Sequence, residues 1–181
     1  KTIKKMKSFG LEDQFSRDFD GSHFIYSFYF DEDIFITSID HKEIQRKKIR
    51  SKYIKEVHLL DDFGNSTIQE ACENPNYGNM IYDPYRSVYY RIAYPKTEIN
   101  RKLEMQEAIT LIDYGRKNFS IIILDKNFNI IGETLFPDYT YNSGIIFIRE
   151  DGLYISSSHP MNPQYDDDYL NFQRFNLAKK D

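Results

Sequence analysis

The stretch Ser120-Ile-Ile-Ile-Leu-Asp125, followed after a polar turn by Asn129 to Phe136, decides the fold, because an earlier stretch repeats it. Ile34-Phe-Ile-Thr-Ser-Ile-Asp40 runs into Glu43 to Arg50 in the same way. In each copy a β-branched or aromatic run ends on an apolar residue and Asp, turns, and starts a second run. A partial third copy, Tyr169 to Leu177, reaches the same point with Asn176 in place of the aspartate. The three acidic or amide positions lie 85 and 51 residues apart. A period of about 40 to 50 residues, with one interval holding either two periods or one period and a long insertion, is what propeller blades leave in a sequence. The reading is therefore all-β, with antiparallel four-stranded blades of a β-propeller, about three of them, forming a partial ring.

Outward from the repeat, His23 to Phe30 reads as a strand that turns at Asp31-Glu-Asp33 into Ile34 to Ile39. The run Glu43 to Ser51 carries Arg46, Lys47, Lys48 and Arg50, so it belongs at a sheet edge, where cations block pairing with another edge. Phe9 to Phe19 shows no clear period. Strands resume at Asn79 to Tyr82, turn at Asp83-Pro-Tyr-Arg86, and continue through Ser87 to Tyr94. Arg101 to Ile112 is rich enough in helix formers for a short helix. Gly144 to Ile148 and Leu153 to Ser157 form a hairpin about Arg149-Glu-Asp-Gly152, since Asp-Gly tolerates the positive φ of a tight turn. The chain thus reads as one partial propeller domain over residues 1–181. It has a blade ending near Ser51, a long connection 53–77, a blade 79–136 with an insertion 96–118, and an incomplete blade 144–177. The last blade lacks a fourth strand, as in a ring closed by a strand from its N-terminal end.

Composition narrows the function classes. Its 181 residues suit three or four blades rather than a whole ring, and a net charge of −4 gives no field for nucleic acid. The 15 Tyr and 14 Phe suit half-buried strands and tyrosine-rich surfaces. With one cysteine, Cys72, the chain forms no internal disulfide, and no apolar run approaches the ~18 residues of a membrane span. Lys1 to Lys7 lacks the apolar stretch of a signal peptide, and the first residue is not Met, so an upstream part is expected to be missing.

Four residues are candidates for ligand binding. On an alternating strand Tyr89, Arg91 and Ala93 share one face, and Tyr90, Ile92 and Tyr94 the other. Arg91 in so aromatic a strand needs a carboxylate, a ring face or a ligand, because burying it alone is costly. Asp83 and Asp113 are possible partners, and pairing or cation–π stacking is preferred over ligand recognition. Arg86 and Tyr94 complete that set. His159, after Ser156-Ser-Ser158, is better read as part of a polar loop than as a catalytic base, since no G-x-S-x-G elbow is present. Asp166 and Asp168, with Asp167 between them, could offer oxygens to a hard cation such as calcium, but a solvated acidic loop is the preferred reading. His23, His41 and His58 show no metal-ligand spacing, and no metal or cofactor is expected.

The runs Tyr82-Asp-Pro-Tyr-Arg-Ser-Val-Tyr-Tyr-Arg-Ile-Ala-Tyr-Pro95, Lys117 to Thr134 and Ser158-His-Pro-Met-Asn-Pro-Gln-Tyr-Asp-Asp-Asp-Tyr-Leu-Asn-Phe172 resemble the C-terminal half of a Bacteroides-type family of unknown function. Its members are predicted lipoproteins with a TolB-like six-bladed propeller. The likeness covers residues 78–178 well and the first 77 by strand pattern alone. It implies a cell-envelope location, a lipid-bearing cysteine upstream of this chain, and about twice the length; Cys72 does not match the lipid-bearing position. It supplies no catalytic or binding residue.

The expected function is a non-catalytic binding or scaffold module of an envelope lipoprotein, whose partner is a protein, peptide or glycan. It would meet the membrane only through the upstream anchor. One alternative is a glycan lyase or hydrolase using loop carboxylates, among them Asp61, Asp62, Glu73, Asp83 and Asp138, with Tyr and Arg at the funnel. The other is a structural part of an envelope assembly.

Overall fold

The structure, a computed structural model, describes residues 14–57 and 68–178. Apolar residues at every second position build three antiparallel sheets along the chain. Sheet A holds β1 Phe15–Phe19, β2 His23–Phe28, β3 Asp33–Ser38 and β4 Ile44–Lys48. Sheet B holds β5 Asn76–Asp83, β6 Val88–Tyr94, β7 Ser120–Leu124 and β8 Ile130–Leu135. Sheet C holds β9 Asn142–Arg149, β10 Gly152–Ser156 and β11 Phe172–Phe175. Strands follow chain order in every sheet, and all pairings are antiparallel. The chain is all-β with few helices: α1 Ile68–Glu73 and α2 Met105–Tyr114.

The repeat read from the sequence has a structural meaning. Asp40 and Asp125 each follow the third strand of a sheet and close its outer hairpin. The Asp125 carboxylate accepts the Asn127 and Asn129 amides at 2.8 Å each. That of Asp40 accepts the Lys42 amide and the Ser38 hydroxyl. Short acidic side chains that bond their own turn backbone are favoured at such positions. Asn176 occupies the equivalent place after β11.

Sheet B lies between the other two. Its Tyr77, Met80, Tyr89, Ala93, Ile122 and Leu124 meet Ile25, Ile34 and Ile36 of sheet A in one core. On its opposite face Val88, Tyr90, Ile92 and Ile121 meet Leu153 and Ile155 of sheet C. The β6 strand is consequently buried from Val88 to Ala93, on the alternation expected of it. Each fully buried Ile or Leu in these cores contributes roughly 1.5–3 kcal/mol.

Arg91 points into the A–B core and is fully buried. Its guanidinium lies 3.8 Å above the Tyr77 ring. Nε donates to the Ser27 hydroxyl at 3.0 Å, Nη1 to the Glu32 and Ile49 carbonyls at 2.8 Å each, and Nη2 to the Asp31 carbonyl at 2.6 Å. No carboxylate of the described residues pairs with it: Asp83 is taken by Arg86, and Asp113 is exposed on α2. Ring stacking and backbone carbonyls take the place of the expected acid. Burial lowers its pKa to about 10, which still leaves it charged at neutral pH.

Two stretches depart from the sequence reading. Phe15–Phe19 is a strand, although it lacks a buried apolar face; Ser16 and Asp18 instead turn toward β5, accepting the Met80 and Tyr82 amides at 2.8 and 2.5 Å. The connection 53–77 contains α1, and β5 already begins at Asn76; residues 58–67 of it lie outside the described residues. The cation-rich β4 does lie at the edge of sheet A, and its charges are paired. Arg46 meets Asp33, Lys48 meets Glu32, and Lys47 donates to the Asn127 carbonyl at 2.6 Å.

Replacing Arg91 by Met would strand the carbonyls of Asp31 and Ile49 and leave that of Glu32 with the Ile49 amide alone. The expected cost is on the order of 3 kcal/mol, seen as a lower urea midpoint with an unchanged slope. Arg91→Lys should recover only part of it, because an ammonium lacks the planar fork. A lysine variant as stable as the parent would show that the fork does not bind the sheets together.

Candidate functional site

Strand order sends the connections to two ends of the sheets. One end carries short turns, at residues 20–22, 39–43, 84–87, 125–129 and 150–151. The other end carries α1, α2, the link 136–141 and the loop 157–171. Long loops on a rigid frame are where recognition residues concentrate. At this second end a cavity of about 350 Å³ opens between α2, the start of β9 and the loop 157–171. Its wall includes Tyr114, Tyr165 and Tyr169 with Ile145 and Leu170, and polar groups from Thr110, Asn142, Ser158 and Asp167.

α2 is set in place by local sequence. Glu104 and Glu107 form a capping box at its N-terminus, and Arg101 grips Glu107 with two bonds of 2.7 Å. That grip holds the Glu107 carboxyl at a pKa of about 2. Ala108 and Leu111 bury one face of the helix against Cys72 of α1, together with Ile99 and Leu103. Cys72 is thus an apolar filler, its thiol pushed up in pKa by burial. The helix ends at Gly115, with φ of 107°. A β-carbon there would sit 2.6 Å from the Ser143 hydroxyl, so only glycine lets β9 approach and bring Asn142 beside Tyr114.

His159 anchors the loop. It is almost fully buried; its Nδ1 accepts the Met161 amide at 3.1 Å, and its Nε2 faces the Gly115 and Arg116 carbonyls at 3.2 and 3.3 Å. Those partners require a neutral ring with the proton on Nε2. Burial lowers its pKa below the ordinary histidine value. Beneath the loop, Ser158 bonds the Tyr169 carbonyl and the Asn171 amide, which ties its two ends together.

The four ligand-binding candidates do not form one site. Arg86 is at the short-turn end, where Nε bonds the buried Asp83 carboxylate at 2.5 Å and the Nη groups reach the Glu150 and Arg149 carbonyls. It joins the β5–β6 turn to the β9–β10 turn. Asp83 also accepts the Tyr90 hydroxyl, whose pKa is pushed up to about 12 by burial and this neighbour. Arg91 is inside the A–B core. Tyr94 and His159 alone share the long-connection end, linked through Arg116. The Arg116 guanidinium lies 5.4 Å from the Tyr94 ring centre, and its carbonyl faces His159. The Tyr94 hydroxyl meets that of Ser143 at 2.9 Å.

Asp166, Asp167 and Asp168 are exposed, yet each brings an oxygen within 4.8 Å of the others. The trio could hold a hard cation, and Asp166 also accepts the Asp168 amide. The loop carboxylates considered for glycan chemistry are dispersed. Glu73 caps the Ile99 amide, Asp83 lies in its turn, and Asp138 meets Lys117 and Asn118 at the surface. Asp61, Asp62, His58 and Lys1 to Lys7 lie outside the described residues. Sequence reasoning missed Tyr114, Tyr169 and Asn142 as a set, because three separate segments supply them. The one local signal was tyrosine recurring at 165 and 169 within an acidic, proline-flanked loop.

Acidification should loosen this end. The unfolded chain protonates His159 near pH 6.5, before the folded one does, so stability present above that pH is lost as pH falls toward the lower folded-state value. Thermal midpoints measured from pH 7.5 to 5 should decline across that window in the parent and less steeply in His159→Gln. An equal decline in both would assign the acid sensitivity to other groups.

The structure is similar to a crystal structure of a DUF4221 family member from Bacteroides vulgatus ATCC 8482, with a TM-score of 0.77 and 31% sequence identity. The match covers 92% of this chain and 46% of that one, so the chain spans about half the length of the solved relative. No curated protein matches. The model of the family described as "Domain of unknown function (DUF4221)" matches residues 1–135, including the N-terminal part whose likeness was carried by strand pattern alone. The chain belongs to the DUF4221 family.

Proposed function

We propose that this chain is a non-catalytic recognition module, part of a β-propeller in the cell envelope, and that its tyrosine-walled cavity binds a short glycan segment. The observation that carries the proposal is the cavity of about 350 Å³ with Tyr114, Tyr165 and Tyr169 around Asn142 and Asp167. That volume falls in the roughly 300–1,000 Å³ range of small-ligand sites, which pair apolar walls with a few placed polar groups. Tyrosine offers a flat apolar face to a sugar's C–H surface and a hydroxyl to its oxygens. The amide and carboxylate supply directional bonds to hydroxyl groups.

Binding without turnover is favoured by the lining. Asp167 is its one carboxylate among the described residues, whereas the usual glycosidase mechanism uses two facing carboxyl groups. The propeller reading is supported by the serial sheets and by the outward faces of the end sheets. Sheet A presents Phe15, Tyr26, Phe28 and Phe35 as a cross-strand aromatic array. Sheet C presents Phe147 between Tyr154 and Phe172, with ring centres 5.0 and 4.9 Å apart. Aromatic faces of this kind are what stacked blades bury on their neighbours. The envelope location and the upstream lipid anchor rest on the family resemblance.

Calorimetric titration of the complete protein against a library of bacterial and host oligosaccharides should give a binder. Tyr169→Ala should weaken it at least tenfold without moving the thermal midpoint, since Tyr169 is 66% exposed. Undiminished affinity in this variant and in Tyr114→Ala would remove the cavity from the proposal. The native protein should also be recovered from the membrane fraction, with an intact mass that includes an acyl addition. Recovery as an unmodified soluble species would overturn the envelope assignment.

A further inference from the structure

Three arginines lie screened from bulk water between elements of the fold, and they use their donors very differently. Arg91 bonds five acceptors, and Arg86 bonds a carboxylate and two carbonyls. Arg116, in the link between α2 and β7, makes one side-chain hydrogen bond among the described residues, from Nη1 to the Asn74 carbonyl at 2.6 Å. Its guanidinium stands 5.4 Å from the Tyr94 ring centre. Burial lowers its pKa, and among the described residues only Tyr94 and Cys72 act against that effect; no carboxylate does. Arg17 and Arg149 also lack a side-chain hydrogen bond among the described residues, but both are exposed, so water meets their donors. Arg116 is half-buried and keeps some accessible surface. Taking a cation out of water is costly unless a counter-charge or a set of carbonyls meets it. Arg91 finds that set inside the chain, and Arg116 does not.

The unused donors form one particular edge. Nε and Nη2 lie side by side on the guanidinium, and such an edge takes both oxygens of a carboxylate in a planar fork. With Nη1 held by Asn74, the edge has a set direction and no acceptor among the described residues. A further donor stands on the same ring. The Tyr94 and Ser143 hydroxyls share one hydrogen bond of 2.9 Å, which uses one of their two protons and leaves the other for another acceptor. The backbone beneath both groups is pinned. Gly115 lets Ser143 approach, and the His159 ring faces the Arg116 carbonyl at 3.3 Å. One fork with no second cation beside it suits a single negative charge, since Lys117 is turned to the Glu98 carbonyl and Asp138.

We propose that Arg116 is an anion receptor that takes the carboxylate of a small organic acid or an acidic sugar on its Nε–Nη2 edge. The Tyr94–Ser143 hydroxyl pair supplies the further donor, and the Tyr94 ring forms the apolar side of the site. Arg116 is not among the residues that wall the tyrosine cavity, so the inference is independent of what that cavity binds.

Titration of the complete protein with sodium acetate and with sodium glucuronate, at an ionic strength held constant with chloride, tests it through the Arg116 Nε–H resonance. That resonance should shift saturably with either acid and stay in place with glucose. Both acids should also raise the thermal midpoint, as any ligand of the folded state does. Arg116→Lys keeps the charge and the reach to the Asn74 carbonyl but lacks the fork, so it should bind either acid at least tenfold more weakly. Glucuronate bound at least tenfold more tightly than acetate would uphold the proposal with an acidic sugar as the source. Equal affinities would uphold it with a free organic acid. An unmoved resonance, undiminished binding in Arg116→Lys, or tighter binding of inorganic phosphate than of either acid would overturn it. So would an Arg116→Met variant that loses as much stability as Arg91→Met, because Arg116 would then be a strut of the fold.

Discussion

Sheet B is covered on both faces, and β6 at its centre has no side open to water. Every side chain from Val88 to Ala93 must therefore be apolar or fully partnered, and Arg91 is the test of that constraint. It is satisfied without a counter-charge: the guanidinium fork matches a set of carbonyls from Phe28 to Glu32 and from Ile49, of which that of Glu32 also accepts the Ile49 amide. A buried cation held this way costs desolvation, but removing it would leave the Asp31 and Ile49 carbonyls unmet. The same contact closes the end of sheet A. Tyr77, under the guanidinium, receives the Ser51 amide on its hydroxyl and gives its own amide to Tyr29.

A second clamp joins sheet B to sheet C by similar means. Arg86 pairs with a buried carboxylate in its own turn and spends its remaining donors on carbonyls of the neighbouring turn. Both arginines thus act between sheets through main-chain carbonyls, so neither depends on a distant acidic side chain. The consequence for function is spatial. The two arginines that seemed most suited to a ligand are committed to holding sheets together, one in a core and the other at the short-turn end. The long-connection end is left to tyrosines, amides and Arg116.

Order at that long-connection end comes from its own short-range devices. A capping box starts α2, glycine ends it against β9, and a buried neutral histidine fastens the loop 157–171 to the helix end. The cavity is the space these three devices leave. The histidine fastens the loop beside it as a neutral ring, bonded at both nitrogens to main-chain groups.

Much of the architecture could be read from the sequence alone. The period-two runs, the Asp40 and Asp125 turns, the Asp151-Gly152 hairpin, the cationic edge strand and the two faces of β6 are local matters, set by pleat geometry and turn chemistry within a few residues. β1 was not legible, because its buried-side residues are Ser16 and Asp18, whose hydrogen bonds go to a strand more than 60 residues away. The partners of Arg91 were hidden for the same reason: backbone carbonyls have no sequence signature, and carboxylates do. The cavity combines Tyr114 from a helix, Asn142 from a strand start and Tyr169 from a loop, so it exists only once three connections converge. Sequence by itself determined the strands other than β1, their turns and the family. Tertiary structure alone decided which polar residues were consumed in joining sheets and which were left facing solvent, because that allocation depends on contacts between segments distant in the chain.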